Sequence, residues 1–227
     1  MELLCQGVVG RKKRKREQMS GGPGLKIKIV KGVFEGIFKP EIIFEDKTVQ
    51  ERLLNEPMVI ICNHTKRSKQ HKFVLADGPT LRCVFMNKNV CSLMAKDILE
   101  KPVIRTVMKG LDCIPVDRTA ASTQWLRDCK KKLDSGCSVI IFPEGTTIKD
   151  KEIDEFKPGF ALLAKMAGVR VLPVAVNGKY KVFGKKELKI KIGTPQELSH
   201  STYSRDYLQN ETDRFRNIIK EMYNEII

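Results

Sequence analysis

Ser138-Val139-Ile140-Ile141-Phe142-Pro143-Glu144-Gly145-Thr146-Thr147 decides how this chain is read. Ser138 to Ile141 has the short apolar, β-branched character of a buried strand, and Pro143 to Gly145 ends it with a turn. A carboxylate and small residues thus stand at a strand's carboxyl end, where open α/β sheets bind their ligands. Gly145 would let backbone amides come close to an anionic or hydroxylated ligand. On the hexapeptide Phe142–Thr147 alone, a strand, a tight turn and a solvated glutamate is the competing reading.

Similar short apolar runs recur on both sides of this stretch. Strands are predicted over Glu41 to Glu45, Met58 to Cys62, Val90 to Ala95, Cys113 to Val116, Ser138 to Phe142, Val169 to Val176 and Leu188 to Ile192. Between them, longer amphipathic segments predict helices over Gly78 to Met86, Asp97 to Lys109, Ala120 to Leu133 and Gly159 to Ala167, with a last helix over Tyr203 to Ile226. Strands alternating with helices of this length give a three-layer α/β sandwich around a largely parallel mixed sheet. A chain of 227 residues holds one such domain, expected over 41–227.

Before that domain the composition changes. Residues 1–24 end in Ser20-Gly21-Gly22-Pro23-Gly24 and read as a disordered leader carrying the run Arg11-Lys12-Lys13-Arg14-Lys15-Arg16. That run is either a solvated tail or an electrostatic anchor to anionic lipid. Residues 25–40 follow as an amphipathic helix, since Ile29, Val30, Val33, Phe34, Ile37 and Phe38 recur at three- and four-residue steps before Pro40. Packing on the core and lying in a membrane interface are both open to it. Gly32 and Gly36 each weaken it by roughly 1 kcal/mol relative to Ala, so it needs a surface to fold against.

The net charge is +15, and the basic run supplies six of those charges, leaving +9 on the rest of the chain. The partners expected of such a protein are anionic: nucleic acid, a membrane surface or a phosphorylated substrate. Nucleic acid is not expected, because aromatic residues make up only 7% of the chain and no interleaved aromatic and basic platform is visible. Seven cysteines without a Cys-x-x-Cys pair read as reduced, mostly buried thiols of a cytosolic protein. With three histidines and no thiolate at ligand spacing from them, no metal site is expected. No apolar run is long enough to span a bilayer, so the protein is not expected to cross a membrane, and lying on one stays open to it.

Three further elements carry chemistry. Asn63-His64-Thr65 follows the apolar run Met58 to Cys62, so His64 also stands at a strand's carboxyl end. A histidine held by a nearby acid can take a proton from an alcohol near neutral pH, and Asp77 in Ala76-Asp77-Gly78-Pro79 is the available acid. Asp77 also suits the cap of the helix after it. In Gly110 to Arg118 a helix end leads into a strand that places Arg118 at its end, where a guanidinium can grip phosphate or pair with a surface acid. Val171 to Val176 is an apolar run broken by Pro173, which reads as a buried or an edge strand.

These elements, in this order, resemble the glycerolipid acyltransferase family, best known for its 1-acylglycerol-3-phosphate acyltransferases. The resemblance covers about Glu41 to Pro195 and rests on Asn63-His64-Thr65 with Asp77-Gly78, Gly110 to Arg118, Phe142 to Thr147 and Val171 to Val174. Phe156-Lys157-Pro158-Gly159 falls where the family has a Phe-Lys-x-Gly turn. The resemblance implies a glycerol-3-phosphate acyltransferase-like fold. It also implies transfer of an acyl group from acyl-coenzyme A or acyl-carrier protein to the free hydroxyl of lysophosphatidic acid or a related lysophospholipid. No bound cofactor is implied, and the work would be done at the cytoplasmic face of an anionic membrane. By the same resemblance His64 is the general base, Asp77 its orienting acid and Arg118 the phosphate ligand. Glu144, Gly145 and Thr146 line the acceptor pocket, and Pro173 shapes the acyl side.

One departure from the pattern stands out. The family keeps four residues between its histidine and aspartate, whereas twelve separate His64 from Asp77. Removing Lys66 to Phe73 leaves Asn-His-Thr-Val-Leu-Ala-Asp-Gly and restores the spacing, so these eight residues read as a basic insertion. The insertion brings a second candidate base, His71. His64 is preferred because it directly follows the strand and keeps its Asn and Thr neighbours. A loop that bulges outward would leave His64 beside Asp77; one that does not would leave a lipid-binding protein without catalysis.

Overall fold

The apolar runs pair into one seven-stranded sheet. The computed structural model describes residues 32, 36, 38–65, 77–85, 89–102, 105, 112–117, 122–145, 153–180, 187–199 and 203–227. Its strands are β1 (Glu41–Phe44), β2 (Val59–Cys62), β3 (Val90–Ala95), β4 (Cys113–Val116), β5 (Ser138–Ile141), β6 (Val171–Asn177) and β7 (Lys189–Ile192). They lie in the order β1-β7-β6-β2-β5-β3-β4 and run parallel except at the β6–β7 pair. The sequence places β2, β5 and β6 in the middle for a physical reason. Strands covered on both faces have no polar side to show, and all four residues of β2 and of β5 are buried.

Alternate side chains of the central strands feed two separate cores. Val59, Ile61, Val139, Ile141, Val171 and Ala175 point to a face covered by α4 (Gln124–Asp134), α5 (Gly159–Ala167) and α6 (Arg205–Asn224). Met58, Ile60, Cys62, Ile140, Leu172, Val174 and Val176 point to the other, beneath α1 (Val49–Asn55) and α2 (Asp77–Val84). Helix, sheet and helix make the three layers. On the first face the rings of Phe160 and Phe215 meet edge to face at 5.8 Å, both fully buried. Burying one such side chain stabilises by about 1.5–3 kcal/mol, and truncating Phe215 to Ala would cost about 3–5 kcal/mol.

Local signals set the helix ends. Ser204 caps α6 by accepting a hydrogen bond from the Tyr207 amide at 3.0 Å. Gly168 closes α5 in the left-handed conformation at φ 63°, where a side chain would be strained. Helix α1 was not expected from the sequence. Only Val49 and Leu53 of its seven residues are buried, too few to show a period. The helix expected over Asp97 to Lys109 is described in α3 (Lys96–Leu99) and at Pro102 and Arg105.

The expected leader over 1–24 lies outside the described residues, as does the helix expected over 25–40 apart from Gly32, Gly36, Phe38, Lys39 and Pro40. Phe38 is buried, edge-on to the ring of Tyr180 at 5.0 Å. Among the described residues no helix is long and apolar enough to cross a membrane. Cys62, Cys83, Cys91, Cys129 and Cys137 are buried thiols, and Cys113 is a half-buried one.

Candidate active site

Register places the site. β2 and β5 run side by side with Ile61 opposite Ile141, an offset of 80 residues. Continuing that offset past both strand ends sets His64 opposite Glu144, and there the His64 amide donates to Glu144 Oε2 at 2.9 Å. The second Glu144 oxygen accepts the Asp154 amide at 3.3 Å. On the other side of β2, the Asn63 side chain continues the sheet in place of a backbone. Its Nδ2 donates to the Val176 carbonyl and its Oδ1 accepts the Val176 amide, both at 2.9 Å. The chain leaving β2 is therefore tied to both neighbouring strand ends before His64 does anything.

Asp77 reaches this point from the first turn of α2. Its Oδ2 lies 2.9 Å from His64 Nδ1 and accepts the Thr65 amide at 3.1 Å, while Oδ1 accepts the Thr65 hydroxyl at 3.0 Å. A carboxylate at that distance accepts a hydrogen bond from Nδ1–H, which leaves Nε2 with its lone pair free. Asp77 is 1% exposed and the His64 side chain 16%. The acid is thus sealed while the imidazole keeps an open edge. Phe142 lies flat on that imidazole, rings 4.3 Å apart and 11° from parallel, so the ring plane is fixed from one side.

Burial pushes the Glu144 carboxyl up to about 7, against the opposing pull of the His64 and Asp154 amides that donate to it. The Cys62 thiol and the Tyr180 phenol, both beneath the site, are driven well up by burial and by the nearby Asp77 charge, and stay neutral.

The residues singled out from the sequence are not treated alike by the fold. His64, Asp77 and Glu144 come together, with Gly145 at φ 70° ending their turn. Glu144 is 4% exposed and its two oxygens serve backbone amides of the protein itself, a bracing use that the sequence did not disclose. Pro173 sits inside the sheet beside Ile61, and its carbonyl accepts the Gly193 amide at 3.0 Å. It is a central-strand residue, and among the described residues no hydrogen bond joins it to His64 or Asp77. Its missing N–H falls opposite Gly193, just past the end of β7, where one ladder bond is spared. Arg118, Thr146, His71 and the insertion Lys66 to Phe73 lie outside the described residues. The bracing roles of Asn63, Thr65 and Phe142 were missed from the sequence. Their only sign was that all three flank a strand end.

Comparisons with known proteins bear on the family and the fold. The family model described as Acyltransferase matches residues 41–177, from β1 to the end of β6. A probable 1-acyl-sn-glycerol-3-phosphate acyltransferase of Mycoplasma genitalium is 29% identical over 151 residues, covering 63% of this chain and 53% of that protein. The 1-acyl-sn-glycerol-3-phosphate acyltransferase of Bacillus subtilis is 25% identical over 173 residues, covering 74% of this chain and 82% of its own length. This chain thus spans about half the length of the first relative and most of the second. The crystal structure of the 1-acyl-sn-glycerophosphate acyltransferase PlsC from Thermotoga maritima superposes with a TM-score of 0.61 at 20% identity, over 88% of this chain and 79% of that one. At that identity the likeness speaks for the fold, and the family match speaks for descent: the chain belongs to the acyltransferase family.

Proposed function

We propose that this protein transfers a fatty acyl group from a thioester, acyl-coenzyme A or acyl-carrier protein, to the free hydroxyl of 1-acylglycerol 3-phosphate or a near relative. The observation that carries the reading is the 2.9 Å approach of His64 Nδ1 to Asp77 Oδ2, kept although twelve residues separate the two. The names of the relatives, 1-acyl-sn-glycerol-3-phosphate acyltransferases, supply the acceptor.

In this mechanism His64 Nε2 takes the proton of the acceptor hydroxyl as its oxygen attacks the thioester carbonyl carbon. Asp77 keeps Nδ1 protonated and stabilises the imidazolium that forms. Collapse of the tetrahedral intermediate breaks the carbon–sulfur bond, and the thiolate leaves with the proton that His64 held. An ester and a free thiol result. A thioester is already activated, so positioning and deprotonating the alcohol cover most of the barrier. Arg118 would hold the acceptor phosphate, Thr146 and Gly145 would line its pocket, and Pro173 would shape the acyl side only through the sheet.

The acceptor resides in a bilayer, so the enzyme must work at its surface. The net charge of +15 suits attraction to anionic lipid, and the thiols among the described residues suit the reducing cytoplasmic side. The test is release of free thiol from acyl-coenzyme A upon addition of lysophosphatidic acid in vesicles or detergent. Thiol release that depends on acceptor is expected; none with any lysophospholipid, from folded protein, overturns the reading.

A further inference from the structure

Lys157 has no part in the reading above, yet the fold holds it against the site. Its amide donates to the Pro143 carbonyl at 2.9 Å, which pins it to the turn that carries Glu144. Its side chain then lies across Gly145. A Cβ on Gly145 would stand 3.0 Å from Lys157 Nζ, 3.1 Å from Cε and 3.3 Å from Cδ. Gly145 therefore does two things: it adopts φ 70°, and it leaves a lane in which a lysine lies flat.

The charge on that lysine is uncommitted. Lys157 is exposed, and among the described residues no carboxylate pairs with its ammonium. The nearest acid in the turn, Glu144, is buried and spends its oxygens on the amides of His64 and Asp154. Some other described lysines are spent on carboxylates: Lys130 on Asp134, Lys132 on Asp112, Lys191 on Glu45 and Glu225. An ammonium braced along its stem has less rotamer freedom to lose on meeting an anion, and offers three donors to it.

We propose that Lys157 is a specificity residue that binds the phosphate monoester of the acceptor. The proposal rests on the acyl-transfer reading for its substrate, and on the Lys157–Gly145 geometry for its site. The dianionic phosphate would take charge-assisted hydrogen bonds from Nζ while the glycerol hydroxyl faces His64.

Two measurements test it. In steady-state assays, Lys157→Met should raise KM for lysophosphatidic acid about tenfold or more with kcat within about twofold, and Lys157→Arg should stay near the unmodified enzyme. KM for the acyl thioester, and the rate with a neutral monoacylglycerol acceptor, should not move. An unchanged acceptor KM, or a change confined to the thioester, overturns the proposal. Calorimetric titration with glycerol 3-phosphate reads the site without turnover. Binding weakened about tenfold by Lys157→Met is expected, and equal affinities, or no binding by the unmodified protein, overturn it. Lysine-dependent binding by a protein that transfers no acyl group would strike the acyl-transfer reading and leave this one standing.

Discussion

The ends of β2 and β5 stand side by side but are built by different means. Glu144 is delivered by register: with Ile61 opposite Ile141, the backbone ladder itself brings residue 144 to residue 64. Asp77 is delivered by side chains, through three hydrogen bonds that gather Thr65 and His64 around one carboxylate at the start of a helix. Backbone register is indifferent to what a loop does farther along. A side-chain cluster needs its loop to close. The basic insertion falls in the loop-dependent half, so that is the half whose geometry the extra residues put to the test.

The sharpest way to break the comparison is to remove the imidazole that both halves serve. His64→Ala should lower kcat by about 10³- to 10⁴-fold with thermal stability little changed, whereas His71→Ala should leave the rate within about twofold. Equal losses from the two would mean that the loop, and not the strand end, carries the base. Asp77→Asn is the next largest effect. An amide in place of the carboxylate no longer enforces the Nδ1–H tautomer, and kcat should fall about 10²- to 10³-fold with acceptor KM nearly unchanged. A matching rise in KM would instead show Asp77 shaping the substrate pocket.

The sequence carried the two halves unequally, and for the same reason. All seven strands were legible, β7 as the alternation Lys189-Ile190-Lys191-Ile192 and the others as short apolar runs between Gly, Pro or polar breaks, and the central ones, buried on both faces, need no subtler signal. His64 and Glu144 were legible as strand-end residues, but their facing each other was not, because an offset of 80 residues is a property of pairing and is written in neither strand. The inward aim of Glu144 was hidden too, since Pro-Glu-Gly suits a solvated turn as well as a buried one. From the sequence Pro173 suits an edge or an interior strand equally, and only the position of its neighbour Gly193 shows where a missing N–H can be spared. Gly145 was read as room for a ligand, and the room is occupied by Lys157, twelve residues farther on.

Glu144 exposes a cost of delivery by register. The ladder carries the carboxyl into a buried position whatever its charge, and burial holds it protonated up to about 7. A carboxyl raised in the folded state binds more protons there than in the unfolded chain between about pH 4.5 and 7. Its contribution to stability is thus full at low pH and lost as pH rises through 7, by up to about 3 kcal/mol. Glu144→Gln removes this dependence. Urea unfolding at pH 5 and pH 8 should show the variant less stable at pH 5, where it lacks the bond to the Asp154 amide, and gaining on the unmodified protein by pH 8. A stability gap that stays constant with pH would mean that the carboxyl is ionised at no cost and that its burial is matched by its two amides.

The smallest effect is the most direct test of the other half. Deleting Lys66 to Phe73 restores four residues between His64 and Asp77, so the three hydrogen bonds to the carboxylate would be closed by a shorter loop. Shortening the connection from twelve residues to four lowers its closure entropy by about 1 kcal/mol, which should raise stability by that much or less. Activity should stay within about tenfold, because neither Thr65 nor Asp77 need move to keep contacts of 3.0 and 3.1 Å. A deletion that abolished turnover while leaving the fold intact would show the basic loop taking part in binding substrate or membrane. The strand-built half would then be the only one independent of its loops.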